Sequence, residues 1–146
     1  MRLLVVGPKG AGKSTLLAAL QNKTLSKLPK TQMVECSGMF IDTPGEYLEF
    51  PRLHQALIVA AQQADLIIWV APADHGFQPP PGFALSLWRP VIGVITKIDV
   101  EGADTCQARR QLAEAGVMPP YFLISSRTGE GLAELRAYLA GLSKGR

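Results

Sequence analysis

Cysteine is scarce in this chain: Cys36 and Cys106 are the only two. Two thiols cannot build a disulfide framework, and their separation is not that of a metal site. Both are expected to be free and buried. Long apolar runs are also lacking, so no segment reaches the length of a membrane span. The N-terminus opens on a strand-like segment where a secretory leader would need a charged head and a longer apolar core. The reading is a cytoplasmic protein. No internal repeat or extended low-complexity tract occurs; "QPPPG" at 78–82 is one local proline cluster, expected as a loop or the approach to a short helix. Charged residues make up 18% of the chain and the net charge is +3, with Lys and Arg scattered along it. That permits an anionic partner but gives no reason to expect direct nucleic-acid binding. His54 and His75 have no partners at metal-ligand spacing, so satisfied or solvated histidines are expected.

What the chain does have is material for an interior. Its 146 residues are 47% hydrophobic, the size and composition of one globular domain spanning 1–146. Short apolar runs recur at 2–7, 39–42, 65–71, 91–96 and 121–125, with helix-like segments between them. Near-continuous apolar strands alternating with helices predict an α/β fold, a doubly wound and mostly parallel sheet with helices on both faces. Leu16, Leu17 and Leu20 share one face of a helix over 13–21, and Pro51 suits the first turn of a helix over 51–63. A third helix near 104–115 has a cap in Asp104 and a stop in Gly116. Leu132, Leu135, Leu139 and Leu142 form a stripe on the last helix, expected to dock on the sheet. Trp69 reads as buried packing, whereas Trp88 reads equally as packing or as a partner contact.

"GPKGAGKST" at 7–15 matches G-x-x-x-x-G-K-[ST] through Gly7, Gly12, Lys13 and Ser14, behind a strand and at the start of a helix. An accidental match is expected in roughly one of every few hundred chains of this length. The chemistry accounts for the residue types. Glycines let successive amides turn inward, and the following helix adds unpaired donors with partial positive charge, so main chain can grip a polyphosphate. Gly7, Pro8, Lys9, Gly10, Ala11, Gly12, Lys13, Ser14 and Thr15 are therefore read as a phosphate loop. Lys13 is expected to reach the β- and γ-phosphates, and Ser14 to offer its hydroxyl to Mg²⁺. The competing reading is a glycine-rich turn with an incidental lysine.

"DTPG" at 42–45 follows the strand "MFID". Asp42 at that strand end can hold Mg²⁺ through water, and Gly45 can bring its amide to the γ-phosphate. Thr31 in "KTQ" is the candidate switch threonine for Mg²⁺ and the γ-phosphate, although Thr24 lies in the same polar loop. Only a tight hairpin, or one with a strand nearly lost, fits between Thr31 and Asp42. "TKID" at 96–99 resembles the [NT]-K-x-D guanine-binding motif of translation-factor P-loop GTPases. The resemblance implies that Asp99 accepts from the guanine N1–H and exocyclic amine while Lys97 lies along the base beside Thr96. Adenine lacks that donor pair, so an unpaired carboxylate should disfavour ATP strongly. "SSR", Ser125, Ser126 and Arg127, stands where such GTPases commonly carry SA[KL] and implies a main-chain contact to the guanine oxygen.

Taken together, "GPKGAGKSTLLAALQ", "KTQMVE", "IDTPGEYLEFPRLHQAL" and "ITKID" resemble the ethanolamine- and propanediol-utilisation GTPase-like family, EutP/PduV, over essentially the whole chain. The resemblance implies a small Ras-like fold, GTP/GDP and Mg²⁺ as cofactors, and a setting near metabolic microcompartments, with shell or metabolic enzymes as partners. One departure stands out: the residue after "DTPG" is Glu46, where Ras-like enzymes carry a glutamine that orients the attacking water. A carboxylate there can act as a base, but it also meets like-charge repulsion from the γ-phosphate. Alternatively Glu46 pairs with Arg52 or another cation. Lys13, Thr31 and Glu46 are the catalytic candidates, and weak intrinsic GTP hydrolysis is expected. Two other functions remain open, a phosphotransferase passing the γ-phosphoryl to a small carboxylate such as acetate, and a scaffold that binds nucleotide without hydrolysing it.

Overall fold

The computed structural model describes residues 2–8, 10–20, 40–42, 51–74, 76 and 81–144. The expectations for Lys9, Thr24, Thr31, Cys36, Gly45, Glu46 and His75 lie outside them, as do the side chains of Ser14 and Asp42. In chain order the elements are β1 (Leu3–Val6), α1 (Lys13–Leu20), β2 (Phe40–Asp42), a 3₁₀ turn (Pro51–Leu53) leading into α2 (His54–Ala61), β3 (Leu66–Pro72), a second 3₁₀ turn (Phe83–Leu87), β4 (Val91–Thr96), α3 (Thr105–Ala115), β5 (Tyr121–Leu123) and α4 (Leu132–Lys144). Among the described residues, five strands form one sheet in the order β2-β1-β3-β4-β5, and every pairing between them is parallel. The expected doubly wound layout is present.

Strand periodicity sorts the core into two layers. Leu4 and Val6 of β1, with Ile67 and Trp69 of β3, face Leu57 and Ala61 of α2 and Ala108 and Leu112 of α3. Leu3 and Val5, with Ile68 and Val70, face Leu16 and Leu17 of α1 and Leu132, Leu135 and Leu139 of α4. Because α1 and α2 follow successive crossovers on opposite faces, the chain leaves β1 in one direction and returns to β3 in the other. The strand order therefore reverses between β1 and β3, the point at which open α/β sheets hold their ligands.

Local details bear on the earlier expectations. Pro51 opens a 3₁₀ turn, and the α-helix begins only at His54, where Leu53 supplies no side-chain cap; 3₁₀ turns are frequent at helix N-termini. His54 is a packed histidine with its ring 4.7 Å from that of Phe83. Trp69 is buried with its edge toward Phe83, while Trp88 is 80% exposed, which removes the packing alternative. Cys106 is exposed, contrary to expectation. The buried stripe of α3 runs through Ala108, Gln111, Leu112 and Ala115, and Cys106 lies two residues ahead of it on the outer side of the helix. Among the described residues no helix is long and apolar enough to cross a membrane.

Candidate functional site

The loop from Gly7 to Gly12 joins β1 to α1 and lies against the strand next to it. A Cβ added to Gly7 would stand 2.8 Å from the Val70 carbonyl oxygen, so β3 approaches too closely for any side chain there. Gly10 and Gly12 have φ of 81° and 89°, a region that glycine enters without penalty. The loop closes on itself through the amide of Ala11, which donates to the Pro8 carbonyl, and α1 begins with Leu16 N–H donating to Gly12 O. Lys13 is buried, and its ammonium donates to the carbonyls of Gly7 at 3.0 Å and Pro8 at 3.3 Å. A cation is thus held at the centre of a loop whose helix presents its positive end there. This arrangement suits a polyphosphate.

Thr96 and Lys97 leave β4 directly opposite this loop. The buried Thr96 hydroxyl donates to Ala11 O at 2.7 Å, and the Lys97 ammonium donates to Gly10 O at 2.5 Å. Lys97 has φ of 61°, uncommon for a residue with a side chain, and lies 3.5 Å from the Asp74 carboxylate beyond β3. Asp99 is exposed two residues further on. The third wall comes from the loop after β5. Ser125 is fully buried, its amide donating to Glu130 O and its hydroxyl accepting from the Thr128 amide at 3.1 Å. That turn presents Ser126 and Arg127 to a cleft of about 250 Å³, whose lining also includes Gly12, Thr15, Asp74, Thr96, Lys97 and Asp99.

The described loops thus bring together three of the sequence motifs, "GPKGAGKST", "TKID" and "SSR", at one end of the sheet, after β1, β4 and β5. Asp42 belongs to the same end of the sheet, since β2 runs parallel to β1 and pairs Asp42 with Val5. Ser14 occupies the first turn of α1. The donor set fits a nucleotide with Mg²⁺ in type: amides, an ammonium, a strand-end carboxylate, and the hydroxyl and carboxyl residues that a hard cation shares with phosphate oxygens. Among the described residues no cluster of three or more His, Cys, Asp or Glu is placed to hold a metal by itself. Sequence reasoning missed Asp74. Its signal was available: like Asp42 and Asp99, it is an aspartate at or just beyond an apolar strand.

Comparison with known proteins agrees with this architecture. The model of the family PduV-EutP, "Ethanolamine utilisation - propanediol utilisation", matches residues 1–141. The chain is 41% identical over 147 residues to the probable acetate kinase EutP of Escherichia coli strain K12, covering 98% of this chain and 91% of that protein. It is 36% identical to the propanediol utilization protein PduV of Citrobacter freundii, with 94% and 92% covered. Among solved structures, translation elongation factor SelB from Methanococcus maripaludis, crystallised with the GTP analogue GppNHp, superposes with a TM-score of 0.64 at 24% identity. That match covers 97% of this chain and 33% of SelB, and speaks for a shared P-loop GTPase fold alone.

Proposed function

The chain belongs to the PduV-EutP family of ethanolamine and propanediol utilisation, and from that premise we propose that it binds GTP and GDP with Mg²⁺ and hydrolyses GTP slowly. The observation that carries this reading is the cleft shared by Gly12, Thr15, Lys97, Asp99, Ser126 and Arg127, because it sets a phosphate loop and a strand-end carboxylate at two sides of one space. In this reading the amides at the head of α1 and the Lys13 ammonium hold the phosphates, and the Asp99 carboxylate accepts from the guanine edge. The stem of Lys97 covers the base. Ser14, Asp42 and Thr31 would hold Mg²⁺, which supplies charge neutralisation between phosphates when bound. Gly45 would bring its amide to the γ-phosphate, and Glu46 holds the sequence position of a water-orienting glutamine, which would make turnover slow. Ethanolamine or propanediol utilisation is the setting that the family gives, with microcompartment shell or metabolic enzymes as partners.

A side-by-side titration of GTP, GDP and ATP with Mg²⁺ on wild type, Lys13→Ala and Asp99→Ala tests the reading. Guanine nucleotides are expected to bind at least about 100-fold more tightly than ATP, a difference lost in Asp99→Ala, while Lys13→Ala weakens every nucleotide. ATP binding as tight as GTP binding, or indifference to Asp99→Ala, overturns it.

One observation favours a second reading, transfer of the γ-phosphoryl group to a carboxylate: the relative at 41% identity is named a probable acetate kinase. The two readings share the phosphate loop and differ in the acceptor. Incubation with nucleotide and acetate, followed by hydroxylamine trapping, yields acetyl hydroxamate only under the second.

A further inference from the structure

We propose that Asp74 is a positioning residue for purine recognition, its carboxylate holding Lys97 across the cleft so that the lysine stem is in place before a base arrives. The proposal rests on the guanine-nucleotide reading and assigns Asp74 a part in it. Strands β3 and β4 pair in parallel, with Pro72 opposite Thr96. Asp74 and Lys97 therefore emerge side by side from adjacent strand ends. The Lys97 ammonium lies 3.5 Å from the Asp74 carboxylate and donates to Gly10 O in the loop beyond β1. One ammonium thus spans the ends of three neighbouring strands. Its Cε passes 3.8 Å from where a Cβ on Gly12 would stand, so the stem runs along the phosphate loop toward the cleft that Asp99 also lines.

Two physical arguments give the carboxylate its purpose. Lysine carries a strongly hydrated charge on a long flexible stem, so holding both ends removes conformations that binding would otherwise have to remove. The side chains of Lys97 and Asp74 are only 33% and 24% exposed, which screens this pair less than one on the open surface. Asp74 also has a cost: a negative charge in a cleft read as receiving phosphates is unfavourable by itself. Its effect on binding must therefore depend on Lys97, and should vanish or change sign without it.

The test is calorimetric titration of GDP into wild type, Asp74→Asn, Asp74→Glu, Lys97→Met and the double variant Asp74→Asn/Lys97→Met. Acylation of the Lys97 amine by a soluble amine reagent, followed by peptide mass spectrometry on nucleotide-free protein, is run alongside. Asp74→Asn is expected to weaken GDP binding by about threefold to tenfold, with Asp74→Glu largely restoring it. In the Lys97→Met background the same change should leave binding equal or tighter, and acylation of Lys97 should accelerate in Asp74→Asn. Equal losses in both backgrounds, or unchanged acylation, overturn the proposal. If wild type binds no GDP, the guanine reading and the proposal fall together. Faster acylation would in that case still show that Asp74 holds Lys97, and unchanged acylation that it does not.

Discussion

Gly12 concentrates the demands on the phosphate loop in one residue. Its φ of 89° lies where a side chain is strained, and a Cβ there would touch the Lys97 stem at 3.8 Å. The contact is ordinary in distance, so the backbone conformation dominates the effect of substitution. Gly12→Ala is expected to lower stability by about 1–2 kcal/mol, read as a lower urea midpoint with unchanged slope, and to weaken GDP binding by shifting the loop backbone out of its φ > 0 conformation. Gly7 differs in kind, since the Val70 carbonyl at 2.8 Å from its notional Cβ is backbone of a central strand and cannot move aside. Both glycines were legible as motif positions. Their reasons were not, because one depends on a dihedral angle and the other on a strand 63 residues away in sequence. Tyr121 shows a similar dependence on partners. Its hydroxyl donates to Val117 O at 2.7 Å, and burial pushes its pKa above the usual tyrosine value against the opposing pull of Arg109.

Helix α3 is tied through its N-terminus to the segment that follows β3. At α3, Asp104 accepts from the Gln107 amide at 3.0 Å, while its own amide donates to Ala73 O in the segment that carries Asp74. The cap therefore fastens the helix to one wall of the cleft. Asp104→Ala is expected to cost about 1 kcal/mol in thermal or urea unfolding, with the fastest gain in amide hydrogen exchange at Gln107 in the first turn of α3. Gly116 closes the same helix with φ of 93°. Both boundaries were legible because caps are local chemistry. On the other sheet face, the Arg136 guanidinium of α4 donates to Ala19 O near the end of α1, a link that no periodicity announces. In β4, Gly93 stands where a Cβ would come within 2.7 Å of Tyr121 and 2.9 Å of Leu112. A glycine in an apolar strand thus marks where strand β5 and helix α3 both close in.

The candidate site is a property of the whole sheet. Lys13, Asp74, Lys97 and Arg127 follow β1, β3, β4 and β5 in turn, so the cleft assembles only when all four strands are paired. A ligand bound there should stabilise the molecule as a unit. GDP at about 100 times its dissociation constant is expected to add about 2.7 kcal/mol, seen as a rise in melting temperature of roughly 6–10 °C. Lys13→Ala should abolish most of that shift at the same GDP concentration. A melting curve insensitive to GDP in wild type would contradict a nucleotide site formed across the sheet. The opposite end of the molecule exposes Leu85, Trp88 and Met118 at 69%, 80% and 73%, an apolar surface that the strand pattern gave no means of locating.

The chain's own residues were sufficient to establish the α/β layout, the five strands, the capped third helix and the phosphate-loop motif. Each of these follows from local spacing: apolar runs, cap residues, and glycines ahead of a helix. Tertiary structure alone decided that Thr96 bonds to Ala11, that Lys97 reaches both Gly10 and Asp74, that Trp88 stands in solvent and that Cys106 faces outward. Those facts join or separate residues far apart in the chain. Strand order and loop conformation set such distances, and neither is encoded in the spacing of neighbours.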